Sequence, residues 1–168
     1  EILNDPSYAG QFVTMTYPEI GNTGINDADR ESRSLFLNGF IVHEMNEPVN
    51  WRSEVSLADY LKANDIPAIE GIDTRALTSK LRDGGTQKGY LSVAGKVETE
   101  EAVKIAREWE GLDNQDYASR VSADDSYDWD KDGEKTTSWG WDAELAPADL
   151  KIVAYDFGIK WNILRGLR

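Results

Sequence analysis

Residues 150–168, LKIVAYDFGIKWNILRGLR, set the tightest limit on what this chain can fold into. Lys151 to Tyr155 is an apolar, β-rich run of the kind found where both faces of a sheet are covered. Asp156-Phe157-Gly158 reads as a turn, and Ile159, Ile163, Leu164 and Leu167 then fall at helical spacing. This is the first strand-to-helix step of an α/β domain, and a parallel strand of that type needs a second strand to complete its ladder. No such strand follows within the 168 residues, and residue 1 is Glu rather than Met. The expectation is therefore a piece of a longer polypeptide, holding one domain and the opening of another.

Composition narrows the chemistry. No cysteine is present, which excludes disulfides, zinc-thiolate sites and cysteine nucleophiles within these residues, and the single histidine, His43, removes most acid–base dyads. The formal net charge of −13 argues against a surface that tracks phosphates, so no nucleic-acid partner is expected. Residues 98–149 hold 16 acidic and 5 basic side chains, a net of −11, so the excess belongs to one stretch. A solvated acidic surface accounts for it without any partner. The longest apolar stretch is too short to span a bilayer, and a soluble, cytoplasmic protein is expected.

Along the chain, Gln11 to Tyr17 reads as a strand ending at Pro18, and Gly21 to Gly24 as a tight backbone-dominated loop. Ser34 to Val42 reads as a central strand in which Gly39 marks a bulge or a close backbone approach. Ser56 is positioned to cap a helix carrying Leu57, Tyr60 and Leu61 on one face, which should stop before Pro67. Pro67 to Ile72 is a short strand by composition. Asp73 then caps a helix with Leu77 and Leu81 inward and Gly84-Gly85 as its stop. Lys88 to Ala94 reads as a further strand, and Glu100 to Trp109 as a helix presenting Ala102, Val103, Ala106 and Trp109 to the core. Beyond Leu112 the periodicity fades; Val121 suits a short strand, and 124–142 is acidic, Trp-rich and aperiodic, as a seam between domains would be. Trp139 and Trp141, with Trp129, either staple this seam to a surface or form a partner-binding aromatic patch.

Several candidate sites fail on spacing. Asp128, Asp130 and Asp132 alternate and Gly133 follows, but a calcium loop needs that glycine one position later and a bidentate Glu beyond it. The Gly21–Gly24 loop lacks the Lys-Ser/Thr and following helix of a phosphate loop. His43, at a strand end beside Glu44, reads as a surface or satisfied residue. Ligands of open α/β sheets sit beyond the carboxyl ends of the strands, where Asp156, Gly158 and Lys160 fall. Lys160 could orient an anionic group there or simply face solvent in the first helical turn.

Three blocks carry a resemblance. EILNDPSYAGQFVTMTYPEIGNTGINDADRES, GIDTRALTSKLRDGG and VAYDFGIKWNILR, in this order and spacing, resemble the small, glutamine-hydrolysing subunit of carbamoyl-phosphate synthetase over nearly the whole chain. The resemblance implies an α/β protein in which residues 1–111 form a swivelling β/β/α N-terminal domain, incomplete at its start. Residues 112–149 are then an acidic Trp-rich inter-domain segment, and 150–168 open a flavodoxin-like class I glutamine amidotransferase domain. It implies a Cys–His–Glu triad elsewhere in the protein, ammonia delivered to a large subunit in a heterodimer or higher oligomer, and carbamoyl phosphate made for pyrimidine and arginine synthesis. ATP and Mg are bound by that large subunit, with no cofactor or metal in these residues. Lys160 is the one residue carried over, as substrate-proximal to glutamine in a supporting role; no catalytic residue is. Two departures are expected to matter: the family's preceding segment, with a serine near the glutamine pocket, is missing before EIL, and Trp161 stands where a basic residue is usual. The alternative is a non-catalytic acidic interaction module of the same fold.

Overall fold

The computed structural model describes residues 1–93, 95, 97–113, 115–138, 145 and 147–168. The chain forms two compact units, each assembled from segments distant in sequence.

The larger unit comprises Gly10–Ile25 and Leu37–Gln115. Its sheet has three parallel strands in the order β1 (Phe12–Thr14), β2 (Gly39–Ile41), β3 (Ala68–Ile69), with Phe12 opposite Gly39 and Phe40 opposite Ala68. β2 is central, as its composition predicts. Gly39 is required there because a Cβ would lie 2.8 Å from the Phe12 ring. α1 (Leu57–Ala63) connects β2 to β3, and α2 (Thr74–Gly84) and α3 (Thr99–Glu108) follow β3. Ser56 caps α1 by accepting the Asp59 N–H at 3.1 Å, and Asp73 caps α2 by accepting the Ala76 N–H at 2.8 Å. Gly85, at φ 76°, ends α2. Val13, Leu37, Phe40, Val42, Leu57 and Leu61 are buried and form the core.

Three expectations for this unit are corrected. The strands are shorter than their β-rich runs, because only the residues that reach a ladder partner are held. Residues 88–93 form no strand: the Lys88 ammonium bonds to the Trp109 carbonyl, Gly89 lies against the Phe12 ring, and Tyr90 and Val93 are exposed. Composition favours a strand, but among the described residues no edge accepts this backbone, and Ala94, the last residue of the expected strand, lies outside them. In α3, Ala102 and Ala106 are half-buried while Val103 and Trp109 are exposed, so the inward face is narrower than the apolar pattern suggests.

The smaller unit comprises Glu1–Ala9, Asn26–Phe36 and Asp116–Arg168. Its elements are short: 3₁₀ turns at Ile2–Asn4, Pro6–Tyr8 and Asp27–Asp29, then α4 (Tyr117–Val121), α5 (Glu134–Thr137) and α6 (Trp161–Leu167). Val121 lies in a helix, not a strand; the Asp116 side chain accepts the Ser119 N–H and so starts α4. The other correction is larger. Lys151 to Tyr155 pairs with no strand among the described residues and lies exposed, Val153 at 81% and Tyr155 at 85%. A parallel strand exists only through its neighbours, and the described residues of this unit supply none.

Candidate functional site

The Asp156-Phe157-Gly158 turn forms as expected, and its geometry is set by one carboxylate. Asp156 Oδ1 accepts the backbone N–H groups of Gly158 (2.9 Å) and Ile159 (2.8 Å), and Oδ2 accepts the Tyr127 hydroxyl (2.7 Å). Gly158 sits at φ 93°, and a Cβ there would come within 2.9 Å of both Pro6 and Val121, so glycine is needed on two counts. Burial pushes the Asp156 carboxyl up, but the Ile159, Tyr127 and Gly158 hydrogen bonds and the Arg33 charge outweigh it and leave it below the usual range. Tyr127 is pushed up to about 12, by burial first and then by its bond to Asp156.

Lys160 follows the turn and precedes α6. Its ammonium pairs with Glu1 Oε1 at 3.0 Å and Asp5 Oδ2 at 3.5 Å, and its side chain is 31% exposed. The Glu1 hydrogen bond is the main influence raising its pKa, opposed by burial and reinforced by the Glu1 and Asp5 charges. Asp5 also accepts the Ser7 N–H (2.9 Å) and hydroxyl (2.7 Å). Burial pushes Asp5 up, but the Ser7 bonds and Lys160 bring it below the ordinary carboxylate value. The opening DPSY turn and the lysine thus form one polar cluster.

Behind this turn, α6 is fixed by a residue that no local pattern marks. Glu31 accepts the Trp161 N–H through its carbonyl (2.8 Å) and the Asn162 N–H through Oε2 (2.9 Å), satisfying two open donors of the helix. Its Oε1 pairs with Arg165 at 3.1 Å, with side chains only 3% and 4% exposed. Arg165 also donates to the carbonyls of Ala28 (3.1 Å), Arg30 (2.9 Å) and Lys135 (3.3 Å). Each buried charge therefore has polar partners on several sides.

A cavity of about 370 Å³ adjoins the turn, with Arg33, Phe36, Tyr127, Trp129, Lys135 and Trp161 among its walls. Trp129 packs on Trp161 with ring centroids 5.4 Å apart, and the Lys135 ammonium lies 4.9 and 5.1 Å from the two rings. Trp161 thus joins an aromatic–cation stack. The Trp129 indole N–H is buried without a hydrogen-bond partner among the described residues. Arg33 is committed to the carbonyls of Val121 (2.9 Å) and Ser122 (2.7 Å). The stapling role considered for Trp129 is realised on Trp161; Trp139 and Trp141 lie outside the described residues.

The other candidates take structural positions. Asp130, buried at φ 47°, accepts the backbone N–H groups of Lys135 (2.8 Å) and Thr136 (2.9 Å), and Asp128 pairs with Lys131 at 2.7 Å. His43 Nδ1 lies 3.1 Å from the Ile72 carbonyl. In the larger unit a groove of about 710 Å³ runs along α1 and β3 past Ser56, Leu61, Lys62, Ile66 and Ile69. Neither concavity is lined by histidine or cysteine among the described residues.

A parallel-sheet α/β chain whose polar turn and lysine lead into a helix defines the class. Residues 1–91 match the family described as carbamoyl-phosphate synthase small chain, CPSase domain. The chain belongs to this family. It is 44% identical over 187 residues to the carbamoyl phosphate synthase small chain of Xanthomonas axonopodis pv. citri, covering 99% of this chain and 46% of that protein. It is 48% identical over 168 residues to the small chain of Syntrophotalea carbinolica, covering 99% and 44%. With that of Pseudomonas syringae pv. tomato it shares 44% over 176 residues, covering 99% and 45%. The chain thus spans less than half the length of these curated relatives.

Proposed function

We propose that these residues are the scaffolding part of the small chain of a glutamine-dependent carbamoyl-phosphate synthase. The whole protein hydrolyses glutamine and delivers ammonia to a large chain, where ATP and Mg serve the synthesis of carbamoyl phosphate for pyrimidines and arginine in the cytoplasm. The observation that carries this reading is the family membership together with a formed Asp156–Gly158 turn leading through Lys160 into α6. On this reading 1–111 is the N-terminal β/β/α domain and 112–149 the acidic segment. Residues 150–168 are then the opening of a flavodoxin-like glutaminase domain whose further strands take up the exposed run at Lys151 to Tyr155. The catalytic cysteine belongs to the rest of the protein, since these residues contain none. Lys160 supports glutamine binding by holding charge at the mouth of the site, and Glu1 and Asp5 hold its ammonium in place.

The test is a Lys160→Met substitution in the full-length small chain bound to its large chain. The KM for glutamine should rise about tenfold, the loss expected of one charge-assisted hydrogen bond, while synthesis from free ammonia is unchanged. An unaltered glutamine KM removes Lys160 from the site. Absence of glutamine-dependent synthesis from the wild-type complex overturns the functional reading itself.

A further inference from the structure

Residues 17–25 and 44–55 of the larger unit form a double loop bound along its backbone. Asn46 N–H donates to Ile20 O (2.7 Å), Val49 N–H to Asn22 O (2.9 Å), Glu54 N–H to Ile25 O (2.9 Å) and Ile25 N–H to Val55 O (3.0 Å). The contact is too close for side chains at two points: a Cβ on Gly21 would lie 2.4 Å from the Asn46 carbonyl oxygen, and one on Gly24 1.8 Å from Ser53 Oγ. The glycines of this loop therefore serve tight backbone packing, which accounts for their presence without a phosphate.

At the tip, Asn50 accepts the Ser53 N–H through its carbonyl (3.0 Å) and the Arg52 N–H through Oδ1 (2.9 Å), closing a turn in which Trp51 is the second residue. The turn needs no apolar side chain there, and polar residues ordinarily fill such positions. Yet Trp51 is 90% exposed and Val49 is 85% exposed, on backbone that is hydrogen-bonded on both sides. An indole held in water on a rigid mount gives up little conformational freedom on docking, which is the condition under which an aromatic anchor contributes most. The two loops carry four exposed carboxylates, Glu19, Glu44, Glu47 and Glu54, against one basic residue, Arg52.

We infer that the Trp51 turn is a docking knob for the large chain of the synthase, entering an apolar pocket whose rim is basic. The acidic charge of the two loops selects the partner's chemistry: lysine and arginine meet Glu19, Glu44, Glu47 and Glu54 while the pocket takes the ring. This rests on the small-chain reading above and adds the surface through which it acts.

The test measures the affinity of the full-length small chain for its large chain, by calorimetry at two ionic strengths, with unfolding curves confirming that each variant is folded. Trp51→Ala should weaken binding about 30-fold, the loss typical of a central aromatic anchor, and Trp51→Tyr should recover most of it. Glu47→Lys with Glu54→Lys leaves the knob in place and should weaken binding further at low salt than at high salt. If the wild-type chains bind and Trp51→Ala binds equally well, the inference is overturned and the small-chain reading stands. If the double charge reversal leaves the salt dependence unchanged, the basic rim is overturned. If the wild-type chains do not bind each other, both readings fall.

Discussion

Around β2, Val42, Leu61 and Phe40 are 0%, 2% and 3% exposed, and Thr74 is the single polar residue buried with them among the described residues of that unit. Around α6 the order is reversed. There Glu31, Ser32, Asp130, Thr136 and Arg165 are buried, while the apolar residues Leu3, Ala9, Val121 and Leu164 retain 7 to 9% exposure. The larger unit is held by non-directional burial that many sequences of similar volume would supply. The smaller one is held by directional bonds that work only when every partner is present. Short helices of four to seven residues cannot bury a continuous apolar face, so polar clips take the place of a core.

Arg165→Ala should break this comparison most sharply. It leaves the Glu31 carboxylate buried without its counter-ion and should cost about 3–5 kcal/mol of unfolding free energy, whereas replacing both partners, Glu31→Leu with Arg165→Met, should recover most of it apart from the α6 cap. A loss below about 1 kcal/mol for the single variant in urea unfolding would mean that the pair is not the organising contact. Next in size is Leu61→Ala, expected to cost about 2–5 kcal/mol through the cavity it leaves in the apolar core. Ser56→Ala removes one helix cap and should cost about 1 kcal/mol by the same measurement. Lys160→Met, which loses only a partly exposed ion pair, should change stability by less than about 1 kcal/mol, separating its proposed ligand role from a structural one.

Titration sharpens the comparison further, because among the described residues the partly buried groups with displaced pKa values fall in the polar unit. Asp5 and Asp156 lie below their ordinary value of 3.8 in the folded chain, so their stabilisation is present above that pH and is lost as pH falls through their lowered values. Tyr127 is raised from 10.0 to about 12, and Lys160 lies above 10.5, so their contribution is present below those starting values and is lost as pH rises past them. Unfolding midpoints should therefore fall at both extremes. Tyr127→Phe should flatten the alkaline limb between pH 10 and 12 while leaving the Lys160 component; an unaltered limb would show that the hydroxyl is not held by Asp156.

Much of the larger unit was legible because its signals are local. Ser56 and Asp73 announce the starts of α1 and α2 by residue type and position, Gly84-Gly85 announces the end of α2, and Gly39 announces a close approach of strands. The errors came where a local pattern needed a distant partner. Lys88 to Ala94 and Lys151 to Tyr155 have strand composition, yet their described residues have no edge to join. Val121 follows the Asp116 cap, which sits five residues before the helix ends and outweighs one β-branched side chain.

In the candidate site, the Asp156–Gly158 turn and the position of Lys160 before a helix could be read directly, because an Asx turn is made within a few residues. The partners of that turn could not. Glu31 and Arg165 lie 134 residues apart in sequence, and Lys160 and Glu1 lie 159 apart, with neither helical nor strand periodicity to link them. Trp51 was likewise visible only as part of a connector, since exposure is a property of what surrounds a residue. Sequence by itself determined the family, the caps, the turns and the acidic bias, because each depends on residue order over short spans. Tertiary structure alone decided which charges are buried as pairs, which β-rich runs become strands and which tryptophan stands in water, because these depend on partners that the chain brings together only on folding.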